Sequence, residues 1–296
     1  FSILIGFNHV ISVFGLHFFE TETLQTSKPI KVVSFNVRLF DLYNWSKNKD
    51  TRNKIMQYIK DLNADVICFQ EYYDDKTNEF ETTSLIMKLP KMKYYKIAPS
   101  YVAKDLYRFG IATFSKYPIV KSGEITFKNS QNNCLYTDLL INGETIRVYN
   151  IHLQSNHFDT ENYGLLRQLN NNPTSIEFKK VQGIFGRLSK AYRKRSEQAR
   201  QVAKHIEKSK YPTIICADLN DTYLSYAYRK VRGSFNDAFR KSGFGFGNTY
   251  GNLLASVRID YMFYDDNFTS TSFNIGKGKL SDHKAIICTL ERNKKP

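Results

Sequence analysis

The sequence predicts a mixed α/β fold, and three observations lead to this prediction. Apolar runs of strand length recur along the chain, and two long segments have apolar residues at helical spacing. No linker rich in Gly, Ser or Pro divides the 296 residues. Hydrophobic residues make up 42% of the chain and aromatic residues 15%, which is enough for a sizeable core. We therefore expect one large domain with a short additional segment.

Nine apolar runs predict β-strands. They lie near residues 31–36, 65–70, 94–98, 110–115, 135–141, 146–152, 213–218, 258–264 and 284–290. Asn142-Gly143 stands between two of the runs and predicts a hairpin turn. Helices are predicted near residues 50–61 and 178–208, with shorter ones after residues 77 and 223.

Polar residues stand at the ends of five of these runs. Buried strands can present their end residues to one shared cleft, so groups that are distant in sequence can converge there. The residues are Asn36, Gln70-Glu71, His152, Asp218-Leu219-Asn220 and Ser281-Asp282-His283. Their distribution predicts one functional site.

Part of this set suits a hard divalent cation. Mg²⁺ prefers carboxylate and amide oxygens, so Asn36, Glu71 and Asp282 are the predicted metal ligands, with Mn²⁺ as a substitute for Mg²⁺. Arg108, Asn36 and His152 are the predicted substrate-binding residues. For Arg108 a plain surface role is the alternative, since the chain has 43 Lys and Arg residues.

The remaining polar residues suit proton transfer and charge stabilisation. Asp218 beside Asn220 can position and deprotonate a water, and His152 and His283 can donate hydrogen bonds to phosphoryl oxygens. Asp260 can hold the imidazole of His283 in one tautomer. The predicted general base is Asp218, and His283 paired with Asp260 is the alternative.

At these motifs the chain resembles the endonuclease/exonuclease/phosphatase superfamily, which has the fold of deoxyribonuclease I. The resemblance covers about residues 30–290, and one departure is Ala217, where Gly is commoner. It implies an α/β (α+β) fold: a four-layer α-β-β-α sandwich, with two mixed sheets packed face to face and flanked by helices. The motifs are Gln70-Glu71, residues 109–116, Asp218-Leu219-Asn220, residues 258–263 and Ser281-Asp282-His283.

The resemblance also implies the chemistry. We expect a Mg²⁺-dependent phosphoesterase that hydrolyses a phosphodiester or phosphomonoester by in-line attack of an activated water, with nucleic acid as one substrate class. The alternatives are a phospholipid or sphingolipid phosphodiesterase, or an inositol-phosphate phosphatase, at a membrane. A catalytically inactive phosphate-binding module is the third reading. Residues 36–40 and Thr249-Tyr250 resemble a membrane-linked bacterial branch.

The charge favours anionic partners. The formal net charge is +15 and the isoelectric point is about 9.5, which suits a phosphate-ester substrate, nucleic acid or an acidic membrane surface. Within the predicted second helix, the basic side chains form either a solvated outer face or an anion-binding face. The basic residues of this stretch are Arg187, Lys190, Arg193, Lys194, Arg195, Arg200, Lys204, Lys208 and Lys210.

No protein partner is evident and a monomer is expected.

Residues 1–27 form an apolar N-terminal segment, and residues 30–294 are the predicted catalytic domain. The first nineteen residues contain no Asp, Glu, Lys or Arg, which meets the length of a membrane-span candidate. We expect membrane association through the remnant of a span, with an interfacial helix, a signal-peptide remnant or a capping segment as alternatives. The four cysteines have neither zinc spacing nor a disulfide pattern.

Overall fold

The computed structural model describes residues 14–16, 28–77, 79–155, 178–252 and 255–293. The strands in chain order are β1 (Phe14–Leu16), β2 (Ile30–Asn36), β3 (Val66–Asp75), β4 (Tyr94–Ala103), β5 (Tyr107–Ser115), β6 (Ile119–Thr126), β7 (Asn133–Ile141), β8 (Glu144–His152), β9 (Thr213–Asp218), β10 (Asn236–Asp237), β11 (Phe244–Phe246), β12 (Tyr250–Asn252), β13 (Ala255–Val257), β14 (Asp260–Tyr264), β15 (Phe268–Ile275) and β16 (Ile286–Arg292). The helices are α1 (Thr51–Leu62), α2 (Thr82–Met87), α3 (Phe178–Ile206), α4 (Tyr226–Arg232) and α5 (Ala238–Ser242).

Two six-stranded mixed sheets form the centre of the molecule. The first sheet has the strand order β15-β16-β2-β3-β5-β4, and the second has the order β10-β14-β9-β8-β7-β6. Each sheet contains one parallel pair, β2 with β3 in the first and β8 with β9 in the second. The carboxyl ends of the two parallel pairs carry most of the predicted site residues.

Three apolar cores separate the layers. Val32, Val66 and Cys68 of the first sheet pack against Val148 and other inward-facing residues of the second. On the outer face of the first sheet, α1 and α2 pack through side chains such as Ile55, Ile59 and Ile86. On the outer face of the second sheet, α3 and α4 pack through Ala199, Val202 and Ala227 among others. The predicted four-layer α-β-β-α sandwich is confirmed.

The hairpin predicted at Asn142-Gly143 joins β7 to β8. Both residues have positive φ, 50° for Asn142 and 81° for Gly143, as a two-residue turn with the twist of antiparallel strands requires. Seven of the described strands were not predicted, namely β1, β6, β10, β11, β12, β13 and β15, and of these β6 and β15 are the longest. Exposed polar residues interrupt the apolar pattern of β6, and β15 contains the run Thr-Ser-Thr-Ser, so neither has a strand-like apolar run.

The long helix α3 ends at Ile206, two residues before its predicted end. Its charged residues do not all share one surface. Arg195 is only 1% exposed, its Nε lies 3.1 Å from Asp221 Oδ2, and its Nη1 donates to the carbonyl of Gln154 at 2.9 Å. The inclusion of Arg195 in a basic outer face was therefore wrong, because this guanidinium joins the helix to the second sheet.

Within the N-terminal segment, Phe14–Leu16 pair antiparallel with Phe244–Phe246. The ring centroid of Phe14 lies 5.0 Å from that of Phe246 and 6.3 Å from that of Phe244. The rest of residues 1–27 lies outside the described residues. Among the helices that the structure describes, none has the length and apolar character needed to cross a membrane.

Candidate active site

The carboxyl ends of the two parallel strand pairs meet at one edge of the sandwich. Asn36 ends β2, and its Nδ2 donates to Asp218 Oδ2 at 2.9 Å and to Glu71 Oε1 at 3.2 Å. His152 ends β8 and stands in register with Asp218, which ends β9. Residues from both sheets therefore come together, as the sequence predicted. We call Asn36, Glu71, His152 and Asp218 the central group.

Glu71 reaches the cleft through a β-bulge. The register between β3 and β5 shifts between Phe69 and Tyr72, and Glu71 has a φ of 47°. Bulges re-aim side chains beside active sites, and a positive φ at a non-glycine residue costs of order 1–3 kcal/mol. The Glu71 side chain is 35% exposed. The prediction that the strand ends at residue 70 was wrong, since β3 continues to Asp75.

The two residues of the Gln70-Glu71 motif have separate roles. Gln70 is fully buried between the sheets, where its Nε2 donates to Asn150 Oδ1 at 2.8 Å and to Ser34 Oγ at 3.0 Å. The amide of Asn150 in turn donates to the carbonyls of Phe69 and Ala112, both at 3.0 Å. Asn150 therefore fixes the backbone just before Glu71. Sequence reasoning missed it, although a polar residue inside an apolar run two positions before His152 was the available signal.

His152 has a buried nitrogen that none of the described residues partners. Its Nε2 lies 3.7 Å from Asp218 Oδ2 and 3.9 Å from Glu71 Oε1, and it makes no hydrogen bond within the described chain. Buried polar atoms nearly always have a partner, which can be a water, an ion or a bound ligand. The position of this nitrogen between two carboxylates fits a ligand of the central group.

Asp260 and His283 form a buried pair beside Asp218. His283 Nδ1 lies 3.0 Å from Asp260 Oδ2, and His283 Nε2 lies 3.9 Å from Asp218 Oδ2. The ring of Tyr250 packs edge-on against the imidazole at 4.9 Å. The contact fits the predicted role of Asp260 in orienting the imidazole, and it leaves Nε2 on the side of Asp218.

The charges of this cluster shift its pKa values. Burial acts to lower the pKa of His283, but the carboxylates of Asp260 and Asp218 raise it, and the result lies well above the ordinary value. Burial raises the pKa of Asp218, the charge on His283 lowers it, Asp260 raises it, and the net shift is upward. A protonated imidazole beside a carboxylate with enhanced proton affinity is suited to acid–base chemistry.

Asn220 shapes the turn after β9. It has a φ of 51°, its backbone N–H donates to Asp218 Oδ1 at 2.9 Å, and its Nδ2 donates to the carbonyl of Leu153 at 3.0 Å. The structure therefore gives Asn220 a contact with the carboxylate of Asp218 through its backbone.

Asp282 and Arg108 make their contacts outside the central group. Asp282 Oδ2 lies 3.5 Å from Arg38 Nε, and Arg108 Nη2 lies 2.6 Å from Asp74 Oδ2. The hydroxyl of Ser281, next to Asp282, donates to the backbone carbonyl of Asn36 at 2.9 Å. The Ser-Asp-His motif thus stabilises the end of β2, where Asn36 lies.

Two sets of residues have the chemistry to hold a cation. Asp218, Asp260 and His283 offer ligand atoms within 4.8 Å of one another, but Asp260 and His283 already share a hydrogen bond. Glu71 and Asn36 supply a carboxylate and an amide at the open edge, which are ligand types that Mg²⁺ prefers. The second set, extended by Asp218, fits a hard cation better.

Gly110 lies where two strands bulge. It pairs with Tyr72 of β3 and with Pro99 of β4, and β4 also shifts register between Pro99 and Tyr101. A Cβ at Gly110 would lie 2.2 Å from the carbonyl oxygen of Ala98 and 2.8 Å from Pro99 Cα. The close approach of these strands therefore requires glycine.

We expect Gly110→Ala to lower the free energy of unfolding by about 1–3 kcal/mol, because the added methyl group overpacks backbone that cannot yield. Urea unfolding monitored by circular dichroism checks this. Gly186→Ala is the control, since a Cβ there meets nothing within 4 Å. That helix position should gain stability by up to about 1 kcal/mol. Equal stability of Gly110→Ala and the parent chain would contradict the strand geometry.

Comparison with known proteins identifies the chain at the level of family. The model of the endonuclease/exonuclease/phosphatase family matches residues 33–283, a span that contains every predicted site residue from Asn36 to His283. The chain belongs to this family. Members of the endonuclease/exonuclease/phosphatase family are hydrolases that act on phosphoester bonds. Comparison with curated protein sequences gives no match.

Solved structures share the fold at low sequence identity. An endonuclease/exonuclease/phosphatase from Beutenbergia cavernae DSM 12333 has a TM-score of 0.67 at 15% identity, over 90% of this chain and 72% of that one. The human Nocturnin catalytic domain with bound sulfate has a TM-score of 0.61 at 17% identity, covering 90% and 94%. Sphingomyelinase C from Streptomyces griseocarneus has a TM-score of 0.58 at 16% identity, covering 89% and 99%.

Proposed function

We propose that the chain is a Mg²⁺-dependent phosphodiesterase in which Asp218 activates the attacking water. The observation that carries the proposal is the central group. One amide nitrogen, Asn36 Nδ2, donates to two carboxylates, and a buried nitrogen of His152, to which no described residue hydrogen-bonds, lies within 4 Å of both. Convergent carboxylates with an orphaned donor are the groups required by hydrolysis at phosphorus.

Glu71 and Asn36 would hold the cation. Asn36 Oδ1 accepts from the N–H of Arg38 at 3.0 Å, and its second lone pair remains for a ligand. A bound divalent cation polarises the phosphoryl oxygens and neutralises the charge that develops on them.

The protein groups supply the proton transfers. Asp218 takes a proton from the water as the oxygen bonds to phosphorus, and the bond to the leaving oxygen breaks. Burial lowers the pKa of His283, but Asp260 and Asp218 raise it and the net shift is upward, which favours an imidazolium that can donate a hydrogen bond to a phosphoryl oxygen or a proton to the leaving group. His152 Nε2 can donate to a second oxygen. In the alternative assignment His283, oriented by Asp260, is the base, which requires its imidazole to be neutral when the water attacks.

A lipid phosphodiester is the second candidate substrate. One of the similar structures is a sphingomyelinase C, and α3 carries an exposed basic face that includes Arg187, Lys190, Arg193 and Arg200. Basic side chains near an acidic bilayer each contribute about 1 kcal/mol of attraction. DNA, RNA, sphingomyelin and inositol phosphates, assayed with Mg²⁺ and with chelator, test the proposal. Hydrolysis of none of them with Mg²⁺ would overturn it.

We expect Glu71→Gln to raise the Mg²⁺ concentration needed for half-maximal activity by at least about tenfold, because a neutral amide is a poorer ligand for a hard cation. Calorimetric titration with Mn²⁺ gives a readout that does not depend on turnover. Glu197→Gln, on the exposed face of α3, is the matched control. Unchanged affinity in Glu71→Gln would remove Glu71 from the set of metal ligands.

A further inference from the structure

A cleft of about 440 Å³ opens beside Glu71 and His152. It has the size of a site for a small ligand or a single substituent of a larger one. Its lining includes three aromatic and two amide side chains, and we call these five residues the aromatic cleft. They are Tyr43, Tyr101, Phe109, Gln131 and Asn132. Because it adjoins the central group, whatever it holds lies next to the scissile phosphate.

Exposed rings form its walls. Tyr101 is 51% exposed, and its ring centroid lies 5.9 Å from that of Phe109, which in turn packs 4.9 Å from Tyr73. Tyr43 is 61% exposed and packs 5.0 Å from Trp45. Each wall is thus an exposed ring backed by a second ring. Rings held in place but left open to solvent are stacking platforms.

Amides accompany the rings, and cations do not. Gln131 and Asn132 bring polar side chains to the cleft, and its described lining residues include no Lys or Arg. Arg38, Lys279 and Lys284 line a separate pocket of about 510 Å³, which Asp41 and Asp282 also line. These Lys and Arg side chains therefore line a different pocket from the exposed rings, while Glu71 is a carboxylate that lines the cleft itself.

We propose that the aromatic cleft binds a nucleobase of a single-stranded nucleic acid, next to the phosphate that is hydrolysed; this deepens the proposed function and rests on it. A base has two π faces for the rings of Tyr43 and Tyr101 and a polar edge for the amide of Gln131. The amide of Asn132 already donates to the carbonyl of Leu153 and accepts from the hydroxyl of Ser130, both at 3.1 Å, so Gln131 is the amide that remains for the base. An alkyl chain offers that amide no partner, and an inositol phosphate would need cations that the described lining lacks. The next phosphate of the strand would lie toward Arg38 and Lys279.

Binding is tested first, without turnover. The Asp218→Asn variant, kept inactive with chelator, is mixed with a short single strand that contains 2-aminopurine, whose fluorescence is quenched on stacking. Adding Tyr101→Ala should weaken binding about tenfold and remove most of the quenching, as expected for loss of one base-stacking ring. With Tyr101→Phe in place of Tyr101→Ala, the affinity and the quenching should stay at the level of Asp218→Asn alone. Tyr94→Ala is the matched control, since Tyr94 is a partly exposed tyrosine at the far end of the same strand, β4.

Hydrolysis is tested second, with the parent chain. An oligonucleotide should have a KM about tenfold lower than the same strand with an abasic site beside the scissile phosphate, and Tyr101→Ala should abolish the difference. Equal KM values, together with quenching that does not depend on Tyr101, would overturn the cleft assignment while phosphodiester hydrolysis stands. Quenching that depends on Tyr101 in a chain that hydrolyses no phosphodiester would instead uphold base binding and overturn the proposed function. Preferential, Tyr101-dependent hydrolysis of sphingomyelin would overturn the nucleobase assignment.

Discussion

Asp218→Asn is expected to reduce turnover by about 10²- to 10⁴-fold, the size of a general-base contribution. The side chain is completely buried, and its Oδ1 accepts from the backbone N–H of Asn220, so the new amide nitrogen takes the place of Oδ2. There it faces Asn36 Nδ2, which is also a donor, and the site loses both its proton acceptor and one negative charge. Single-turnover kinetics at saturating Mg²⁺ and substrate measures the effect.

Two controls make the result specific to the base. Asp61→Asn removes one exposed carboxylate from α1 and should leave turnover unchanged. Substrate affinity of Asp218→Asn, measured by anisotropy, should stay within a few-fold of the parent. A folded variant with normal turnover would rule out Asp218 as the base and favour His283 paired with Asp260.

Asp260→Asn is expected to lower kcat/KM by about 10- to 100-fold at pH 8, the cost of losing an orienting carboxylate, and to move the whole pH profile toward lower pH. Although burial opposes it, the negative charge of Asp260 is the first cause that raises the pKa of His283. Without that charge the imidazole loses its proton at lower pH, so the alkaline limb of the profile shifts to lower pH. Burial is the main cause that raises the pKa of Asp218, and the charge of Asp260 raises it further. Removing that charge lowers the pKa of Asp218, so the acidic limb of the profile also shifts to lower pH.

A pH–rate profile of kcat/KM from pH 5 to 9 checks this shift. Asp265→Asn is the control, because Asp265 follows the opposite end of the same strand, β14, where it accepts from the N–H of Thr213 at 2.7 Å. Its profile should superimpose on that of the parent chain. A lower rate in Asp260→Asn with both limbs unmoved would mean that Asp260 acts through packing and not through its charge.

The sequence allowed the convergence of the site residues to be predicted, because Asn36, His152 and Asp218 each end an apolar run. The ends of the parallel strands β8 and β9 meet at one edge of the second sheet, which brings His152 beside Asp218, whereas the approach of Asn36 depends on the packing of the two sheets. The assignment of Asp260 as the partner of His283 was also predictable, since an imidazole near phosphate needs an orienting group.

Other features depend on contacts that no local pattern contains. The strand that carries Glu71 continues through Asp74 and Asp75, residues that ordinarily disfavour strands. Asp74 is stabilised by Arg108 from β5, and Asp75 accepts from Thr77. The predicted phosphate-binding role of Arg108 was judged from its position before a strand, and the sequence gave no sign of this ion pair.

The division of the central group between the two sheets has a thermodynamic consequence. Asn36 and Glu71 belong to the first sheet, His152 and Asp218 belong to the second, and the pair of Asp260 and His283 also crosses the interface. A ligand of this group therefore binds only the chain whose sheets have docked. At a hundredfold excess over its Kd, such a ligand stabilises the native state by about 2.7 kcal/mol. Substrate or cation binding and the last step of folding are thus coupled equilibria, and a partly folded chain with two separate sheets has no active site to regulate or inhibit.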